Sequence, residues 1–430
     1  MSAAVARTFS SLRVPNYRRY FSGQVISITG NWMQIVGEMW LMVKLTGSGA
    51  AVGLTAGLQF LPILLFGAWG GLLADRLPKR RVLTYTQLSL MVPALTLFAL
   101  AASGAVQPWM VLVLVLVRGS VVAIDNPSRQ SFVVEIVGSD RVVNAVALNS
   151  VVVHCSRILG PALAGTIIAL IGIAPCFLVN AFSFLAMFIA LRTMDTRALQ
   201  TPKPVGRKRG ELRSALRYVR RTPELLIPLM MMALVGTISF NFQVLLPLLA
   251  DFTWHGTATT YALLTAAMGV GSVCGALAAG SRGRVSPGLL VVASTAFGLS
   301  MLLAAVAPTL PLQLLALLPL GAASVTFAAG VNSALQIAVD PSMRGRVMAL
   351  YSVVFLGSTP IGAPLVGWLA GAAGPRAGLV AGGIAALTAA GLAWVAFTRA
   401  GDEPVVRVRP HGGRIRAPKR AAAYARDRVS

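Results

Sequence analysis

Long apolar runs separated by short polar stretches repeat along the chain between residues 20 and 398. A bilayer-spanning helix needs about 20 mostly apolar residues, and the runs reach that length. Charged residues, glycines and prolines mark their ends. The predicted helices are 20–45, 50–74, 82–102, 108–126, 146–171, 174–192, 225–250, 258–280, 287–306, 311–334, 348–372 and 377–398. The sequence therefore predicts an all-α membrane protein of twelve transmembrane helices in two pseudo-symmetric six-helix bundles.

The same pattern divides the chain into segments. Residues 20–192 form the first six-helix bundle and residues 224–398 form the second. A polar segment, 1–19, precedes the first bundle, a basic linker, 193–223, joins the two, and a basic tail covers 399–430. We expect the three polar segments to lie in the cytoplasm.

An internal repeat supports two related halves. The sequence ALNSVV at 147–152 matches ALYSVV at 349–354, and GPALAG at 160–165 matches GAPLVG at 362–367. Homologous bundles that share a central cavity can rock between two open states, which is the geometry of a secondary transporter.

Composition agrees with a membrane protein, since 56% of the residues are hydrophobic and only 12% are charged. The formal net charge of +24 could indicate nucleic-acid binding, but the basic residues are distributed among the loops as in a membrane protein. They concentrate in alternate loops, at Arg76, Lys79, Arg80, Arg81, Arg129, Arg141, Arg282, Arg284, Arg344 and Arg346. The positive-inside rule places these loops and both termini in the cytoplasm, with the protein in the cytoplasmic (inner) membrane. We therefore expect no nucleic-acid partner.

The linker leaves two interpretations open. Leu212, Leu216 and Val219 form an apolar stripe opposite several arginines, which is typical of a helix on the inner membrane surface. A solvated linker explains the same residues. The tail lacks apolar periodicity, and its charge favours contact with anionic membrane lipid.

The segment after the second helix carries the clearest motif, Gly71-Leu-Leu-Ala-Asp75-Arg76-Leu-Pro-Lys-Arg80. It resembles the loop signature of the major facilitator superfamily, and the chain resembles that superfamily's branch of drug and siderophore exporters. Gly71 permits close helix approach, and Asp75 can accept hydrogen bonds from across the interface between the halves. The motif predicts a conformational latch formed by Gly71, Asp75, Arg76 and Arg80.

Two charges stand inside predicted spans, Arg118 in the fourth and Glu38 in the first. An unpaired guanidinium at the bilayer centre costs at least about 2.5 kcal/mol, so Arg118 needs a partner, and Glu38 is the obvious one. The superfamily's fourth helix carries an arginine associated with proton coupling, and Arg118 resembles it in position. Asn31, Gln34 and Glu38 share one helical face, which we expect to line the central cavity. A permanent salt bridge, or a charge reaching the outer interface, is the alternative.

The fifth predicted helix adds His154 and Arg157, candidates for coupling or for the cavity lining. His154 could equally be a structural hydrogen-bonding group. Gly160, Pro161 and Gly165 resemble the antiporter signature of this helix, which implies a kinked, closely packed helix.

The end of the fourth helix carries Asp125 and Arg129, spaced i and i+4, for which we expect a structural or gating ion pair. Aromatic residues could supply cavity contacts, although each could face lipid or a neighbouring helix instead. The candidates are Trp32, Trp40, Phe60 and Phe66.

The sequence has no GxxxxGK[ST], GxSxG, HExxH or paired CxxC motif. We therefore expect no enzyme activity, no cofactor and no metal. The predicted function is export of a small amphipathic molecule (a drug, secondary metabolite or siderophore) by alternating access, driven by a proton or sodium gradient, in a monomer. An importer, a lipid or lysolipid flippase, and a transporter-like sensor remain alternatives.

Overall fold

A computed structural model describes residues 10–200, 211–281 and 286–399, without the side chains of residues 68–76, 139, 211–213 and 281. These parts of the chain form fifteen α-helices and no β-strand. The first half contains α1 (Pro15–Thr46), α2 (Gly49–Arg76), α3 (Lys79–Ala102), α4 (Pro108–Val137), α5 (Val142–Ile171) and α6 (Ala174–Arg192). The linker contributes α7 (Glu211–Arg220). The second half contains α8 (Pro223–Ile238), α9 (Phe242–Leu248), α10 (Ala258–Ser281), α11 (Pro287–Val306), α12 (Leu310–Ala338), α13 (Arg344–Gly357), α14 (Thr359–Ala373) and α15 (Pro375–Arg399).

Twelve membrane spans follow from these helices. Eleven segments of the described chain are long and apolar enough to cross a bilayer; one of them unites α8 and α9, and another unites α13 and α14. Helix α1 is the twelfth span and has 32 residues, but it is more polar because it carries Gln24, Gln34 and Glu38, all buried in the protein. We call the face that holds the linker the linker side, and the opposite face the far side.

Two predicted spans are broken. The sequence predicted one helix over 225–250, but α8 ends at Ile238 and α9 begins at Phe242. Between them, Asn241 Nδ2 donates to Thr237 O at 2.7 Å, and Ser239 Oγ donates to Gly382 O at 2.7 Å. The Asn241 side chain thus takes the place of a backbone N–H at the end of α8, and Ser239 ties the break to α15.

The span predicted over 348–372 is interrupted at Ser358, between α13 and α14. Pro360 lies two residues further on and has no N–H to donate to Leu356 O in the preceding turn. Ser358 Oγ donates to Phe355 O at 2.7 Å. A helix break therefore lies in the second half's wall of the central cavity.

Helix α4 runs past its predicted end at 126 to Val137, so the prediction that it stops before Pro127 was wrong. Pro127 sits inside the helix, and Ser128 Oγ donates to Ile124 O at 2.8 Å in the same turn. The added turns lie beyond the long apolar run and carry Arg129 and Glu135.

The linker helix α7 packs on the second half. Val219 is fully buried there, Tyr218 Oη accepts from Asp340 N at 3.3 Å, and Arg346 Nη1 donates to Ser214 Oγ at 3.4 Å. The linker thus contains a helix that protein contacts hold on the second half, and its contact with the membrane surface stays a prediction. The basic run at 207–209 and the tail beyond 399 lie outside the described residues.

The two halves meet through α2 against α14 and α5 against α10. Small residues make the first contact close: a Cβ atom at Gly53 would meet Ala363 O, and one at Gly49 would meet Gly367 O. In the second contact, a Cβ at Gly165 would meet Ala262 Cβ. Backbones that approach this closely pack by van der Waals contact, as small residues allow in membranes.

An ion pair also joins the halves on the far side. Lys44 Nζ, near the end of α1, lies 2.5 Å from Asp251 Oδ1 in the turn after α9. Beside it, the rings of Trp40 and Tyr261 stack with their centroids 6.3 Å apart. The far side is therefore closed in this conformation.

Replacing Gly53 with valine tests this closure. The added side chain must displace α14, so we expect the far-side ends of the halves to move apart. Spin labels at Ser48→Cys and Thr257→Cys, in a background without the native cysteines, should show a longer distance between the two labels by electron paramagnetic resonance. Gly391→Val is the matched control, because no atom lies within 4 Å of a Cβ there. An unchanged distance in Gly53→Val would contradict the packing.

Candidate functional site

The first candidate site is an ion pair inside the first half. Arg118 Nη2 of α4 donates to Glu38 Oε2 of α1 at 2.7 Å, and both side chains are at most 2% exposed. Arg118 Nη1 also donates to Asn31 Oδ1 at 3.1 Å. Arg118 lies about 15 Å along α4 from its first residue, near the middle of the span. The predicted contact between Glu38 and Arg118 is confirmed, and its role in coupling stays a prediction.

A chain of amides extends the pair toward α6. Gln34 Nε2 donates to Glu38 Oε1 at 2.7 Å, and Gln34 Oε1 accepts from Asn180 Nδ2 at 2.5 Å. Asn180 Oδ1 in turn accepts from Ser183 Oγ at 2.7 Å. Each link satisfies a buried polar atom, so the chain fixes α1 against α6. We did not predict Asn180 or Ser183, although an asparagine within an apolar span is itself a signal.

The expectation that Asn31, Gln34 and Glu38 face the central cavity was wrong. Their face of α1 turns into the first bundle, toward α4 and α6, where their hydrogen bonds lie. Helical spacing placed them on one face but could not say which neighbour that face meets. The opposite face of α1, with Trp32 and Val36, lines the cavity.

A second ion pair lies toward the linker side. Arg129 Nε donates to Asp125 Oδ2 at 2.5 Å, so the predicted pairing is confirmed. Thr86 Oγ1 and Gln87 Nε2 of α3 donate to Asp125 Oδ1 at 2.6 and 2.9 Å. Arg129 Nη2 donates to Gln87 Oε1 at 3.0 Å. Because these bonds tie α3 to α4 within one bundle, they suit a structural role; gating by this pair stays a prediction.

The predicted latch is described in part. The side chains of Gly71, Asp75 and Arg76 lie outside the described residues. Arg80 donates from Nε to Leu191 O at 2.7 Å and from Nη2 to Arg192 O at 3.1 Å, capping α6 of its own half. In this conformation Arg80 therefore holds a helix end within its own bundle, and its part in a latch stays a prediction.

The motif of α5 packs as its small residues suggest. A Cβ at Gly160 would lie 2.5 Å from Trp32 Cβ, so α1 and α5 touch there, while Gly165 faces α10 of the other half. Pro161 lies inside α5. The motif thus stands where α5 contacts both halves, and any antiport role for it stays a prediction.

A cavity of about 770 Å³ lies between the halves. From the first half, Trp32, Val36 and Phe60 line it, together with His154 and Arg157. The Arg157 guanidinium lies over the Trp32 ring, 4.9 Å from its centroid. His154 and Arg157 are therefore cavity residues, whereas Trp40 and Phe66 are not among the lining residues.

The second half supplies a wall that sequence reasoning missed. Its aromatic part consists of Phe240, Phe242, Tyr351 and Phe355, around the breaks that end α8 and α13, and polar residues such as Ser324, Asn332 and Ser333 also line it. The described contacts between the halves lie on the far side and in the middle of the membrane. A space of this volume suits a drug-sized solute.

No group of three or more His, Cys, Asp or Glu side chains among the described residues could hold a metal ion. A comparison with protein families matches residues 6–410 to the family described as transmembrane secretion effector. The chain belongs to this family. It is accordingly a transporter of the major facilitator superfamily.

Two curated relatives of this transporter are named for siderophores. It is 22% identical over 259 residues to the staphyloferrin A transporter of Staphylococcus aureus (strain NCTC 8325 / PS 47), covering 60% of this chain and 65% of that protein. It is 26% identical over 378 residues to the enterobactin exporter of Citrobacter koseri (strain ATCC BAA-895 / CDC 4225-83 / SGSC4696), covering 83% of this chain and 85% of that protein. The match thus spans just under two thirds of the first relative's length and most of the second's.

The fold of the transporter is similar to a solved structure, the bacterial homologue of the human lysosomal transporter Spinster in an inward-facing and unoccupied conformation. The TM-score is 0.73 at 14% identity, covering 90% of this chain and 98% of that one. At this identity the likeness shows the fold alone. With its family, the fold makes this chain a multi-pass membrane transporter of small molecules, and not an enzyme.

A double-mutant comparison tests how strongly the buried pair is coupled. Arg118→Met leaves the Glu38 carboxylate buried and unpaired, which we expect to lower the free energy of unfolding by roughly 3–5 kcal/mol. Adding Glu38→Leu removes the stranded charge and should restore most of the loss. The measurement is the thermal unfolding midpoint of the purified transporter.

Lys79→Met is the matched control for this comparison. Lys79 pairs with Glu135 at 2.8 Å near the linker side, where 12% of its side chain is exposed. The loss of stability should be smaller because the two side chains are 12% and 7% exposed, against 2% and 1% for Arg118 and Glu38, so the remaining charge is less completely removed from water. A double variant no more stable than Arg118→Met would show that Glu38 and Arg118 are not an isolated pair.

Proposed function

We propose that this transporter exports a small amphipathic molecule in exchange for protons by alternating access. The observation that carries the proposal is the sealed Glu38–Arg118 pair, held on the helix whose other face lines the cavity. A buried carboxylate that can be protonated is the minimal requirement for proton coupling. The name of the enterobactin exporter supports the outward direction.

Helix α1 would couple proton exchange at Glu38 to solute binding in the cavity. Its inner face is tied to α4 and α6 through Glu38 and Gln34, and its cavity face presents Trp32 to the solute. A solute that displaces Trp32 pushes on the same rigid helix that positions Glu38. Movement at one face is therefore transmitted to the other without a chain of intermediate side chains.

Protonation would act at the Glu38 carboxylate. A proton on Oε2 removes the negative charge that Arg118 Nη2 faces, and the charge-assisted hydrogen bond becomes an ordinary one. The tie between α1 and α4 weakens, so α1 can shift relative to the bundle. For exchange, Glu38 takes up its proton while the far side is open, and the protonated transporter then returns to the conformation with the far side closed. Release of the proton toward the linker side restores the pair with Arg118.

The far-side contacts would form the gate. The Lys44–Asp251 pair and the contact between Gly53 and Ala363 close the exit path in this conformation. Opening must break the ion pair and separate α2 from α14. We propose that residues 20–192 and 224–398 move as the two rigid units.

Orientation and setting belong to the same proposal. The loops on the linker side hold most of the basic residues, so we place that side and both termini in the cytoplasm, in the cytoplasmic membrane of a bacterium. The cavity then takes its substrate from the cell interior. We propose that the transporter acts as a monomer and that protons, rather than sodium ions, drive it.

The test is proton release from acidified everted vesicles that contain the transporter. A transported compound should collapse the proton gradient with the wild-type protein, and Glu38→Gln should abolish the response. Glu135→Gln is the matched control, because Glu135 is also a paired, buried carboxylate of α4 but lies away from the middle of the membrane. Its response should stay within about twofold of wild type.

Full activity in Glu38→Gln would place coupling elsewhere. A response driven by a sodium gradient would identify the other coupling ion. Solute movement only into the cell, or transfer of lipid between leaflets, would favour an importer or a flippase.

A further inference from the structure

One positively charged side chain, that of Arg157, lines the cavity without a carboxylate partner among the described residues. Arg157 lines the cavity, and its described contact is the face of Trp32. The ion pairs between described residues join other groups: Glu38 with Arg118, Asp125 with Arg129, Glu135 with Lys79, and Asp251 with Lys44. The positive charge of Arg157 is thus not matched by an acidic side chain.

No acidic residue of the described structure is among those that line the cavity. The chain has 13 Asp and Glu residues in all. Apart from the four in ion pairs, they lie near the linker-side ends of helices, in linker-side segments or in the tail, at Asp75, Asp140, Asp195, Glu211, Glu224, Asp340, Asp402, Glu403 and Asp427. A guanidinium in a membrane cavity is costly, so an anion from outside the protein would stabilise it.

The opposite wall of the cavity is aromatic. Phe240 packs edge-to-face on Phe355 with ring centroids 5.7 Å apart, and Phe355 stacks on Tyr351 at 5.9 Å. Such rings form an apolar surface on which a flat aromatic body can stack. The cavity therefore has a cationic first-half wall and an aromatic second-half wall.

Two amides between these walls have unused acceptors. Asn241 and Gln243 line the cavity, and their side-chain oxygens, Asn241 Oδ1 and Gln243 Oε1, are buried and have no hydrogen-bond partner in the described structure. A buried acceptor without a partner costs about 1–3 kcal/mol unless something donates to it. A hydroxyl or amide N–H of a bound solute is such a donor.

We propose that the substrate is an aromatic organic anion with hydroxyl or amide donors, whose negative group binds Arg157. Its ring stacks on the wall formed by Phe240, Tyr351 and Phe355, and its donors reach Asn241 and Gln243. The proposal names the substrate class of the exporter described above and rests on that function for its role in the cell. The binding itself can be tested without any transport.

The test compares three probes that share one aromatic body. They are 6-hydroxy-2-naphthoate, its neutral carboxamide, and the corresponding naphthylmethyl-trimethylammonium cation. Binding to the full-length transporter in nanodiscs is measured by calorimetry. The wild-type protein should bind the anion more tightly than the amide and the cation, by about tenfold or more, as expected for one charge-assisted contact.

Substitution of Arg157 should remove this preference. Arg157→Gln should bring the affinity for the anion down to that for the amide, while Arg157→Lys retains part of the difference. Arg376→Gln is the matched control: Arg376 also lies over a tryptophan, 5.5 Å from the Trp254 centroid, but does not line the cavity. It should bind the three probes as the wild type does.

Several results would overturn the proposal. They are tighter binding of the cation, equal binding of the three probes, no binding of any of them, or an anion preference that survives in Arg157→Gln. Failure of the proposed proton-coupled export would give a different result from failure of the substrate class. The anion would then bind through Arg157 but would not release protons from vesicles. Conversely, proton release driven only by cations would retain the exporter and reject this substrate class.

Discussion

A guanidinium placed in the middle of a membrane protein must be matched, and the first half of this transporter is built around that requirement. Arg118 is matched by Glu38 and Asn31. Glu38 in turn accepts a hydrogen bond from Gln34, and Gln34 accepts one from Asn180. Three helices, α1, α4 and α6, thereby take fixed positions around one charge pair. Truncating either charge would strand the other in a site where water cannot compensate.

Helix α1 gives this pair its significance for transport. It carries Glu38 on one face and Trp32 on the other. In the proposed mechanism, the protonation of Glu38 and a solute in the cavity therefore act on the same helix. Arg157, the half-buried arginine of the cavity lining, contrasts with Arg118 because no described carboxylate pairs with it. Arg118 is thus paired with a carboxylate of the protein, whereas we propose that Arg157 pairs with the negative group of a bound substrate.

Much of this arrangement could be predicted from the sequence. Apolar runs predicted the spans, and the rarity of charge inside them was enough to pair Glu38 with Arg118. The broken spans were missed because hydropathy does not register a side chain such as Asn241 that takes over backbone carbonyls. The cavity-facing assignment of Gln34 and Glu38 failed because periodicity defines a face but not its neighbour. The aromatic wall of the second half depends on helix breaks and so could not be read from spacing.

The central claim is that protonation of Glu38 changes which side of the transporter is open. The most direct measurement is the distance between spin labels at positions 48 and 257 across the far side, followed as a function of pH without any solute. The account predicts that acidification lengthens this distance in the wild type, and that Glu38→Gln shows the acid distribution at every pH. A wild-type distance that does not change with pH, or a titration that persists in Glu38→Gln, would contradict it.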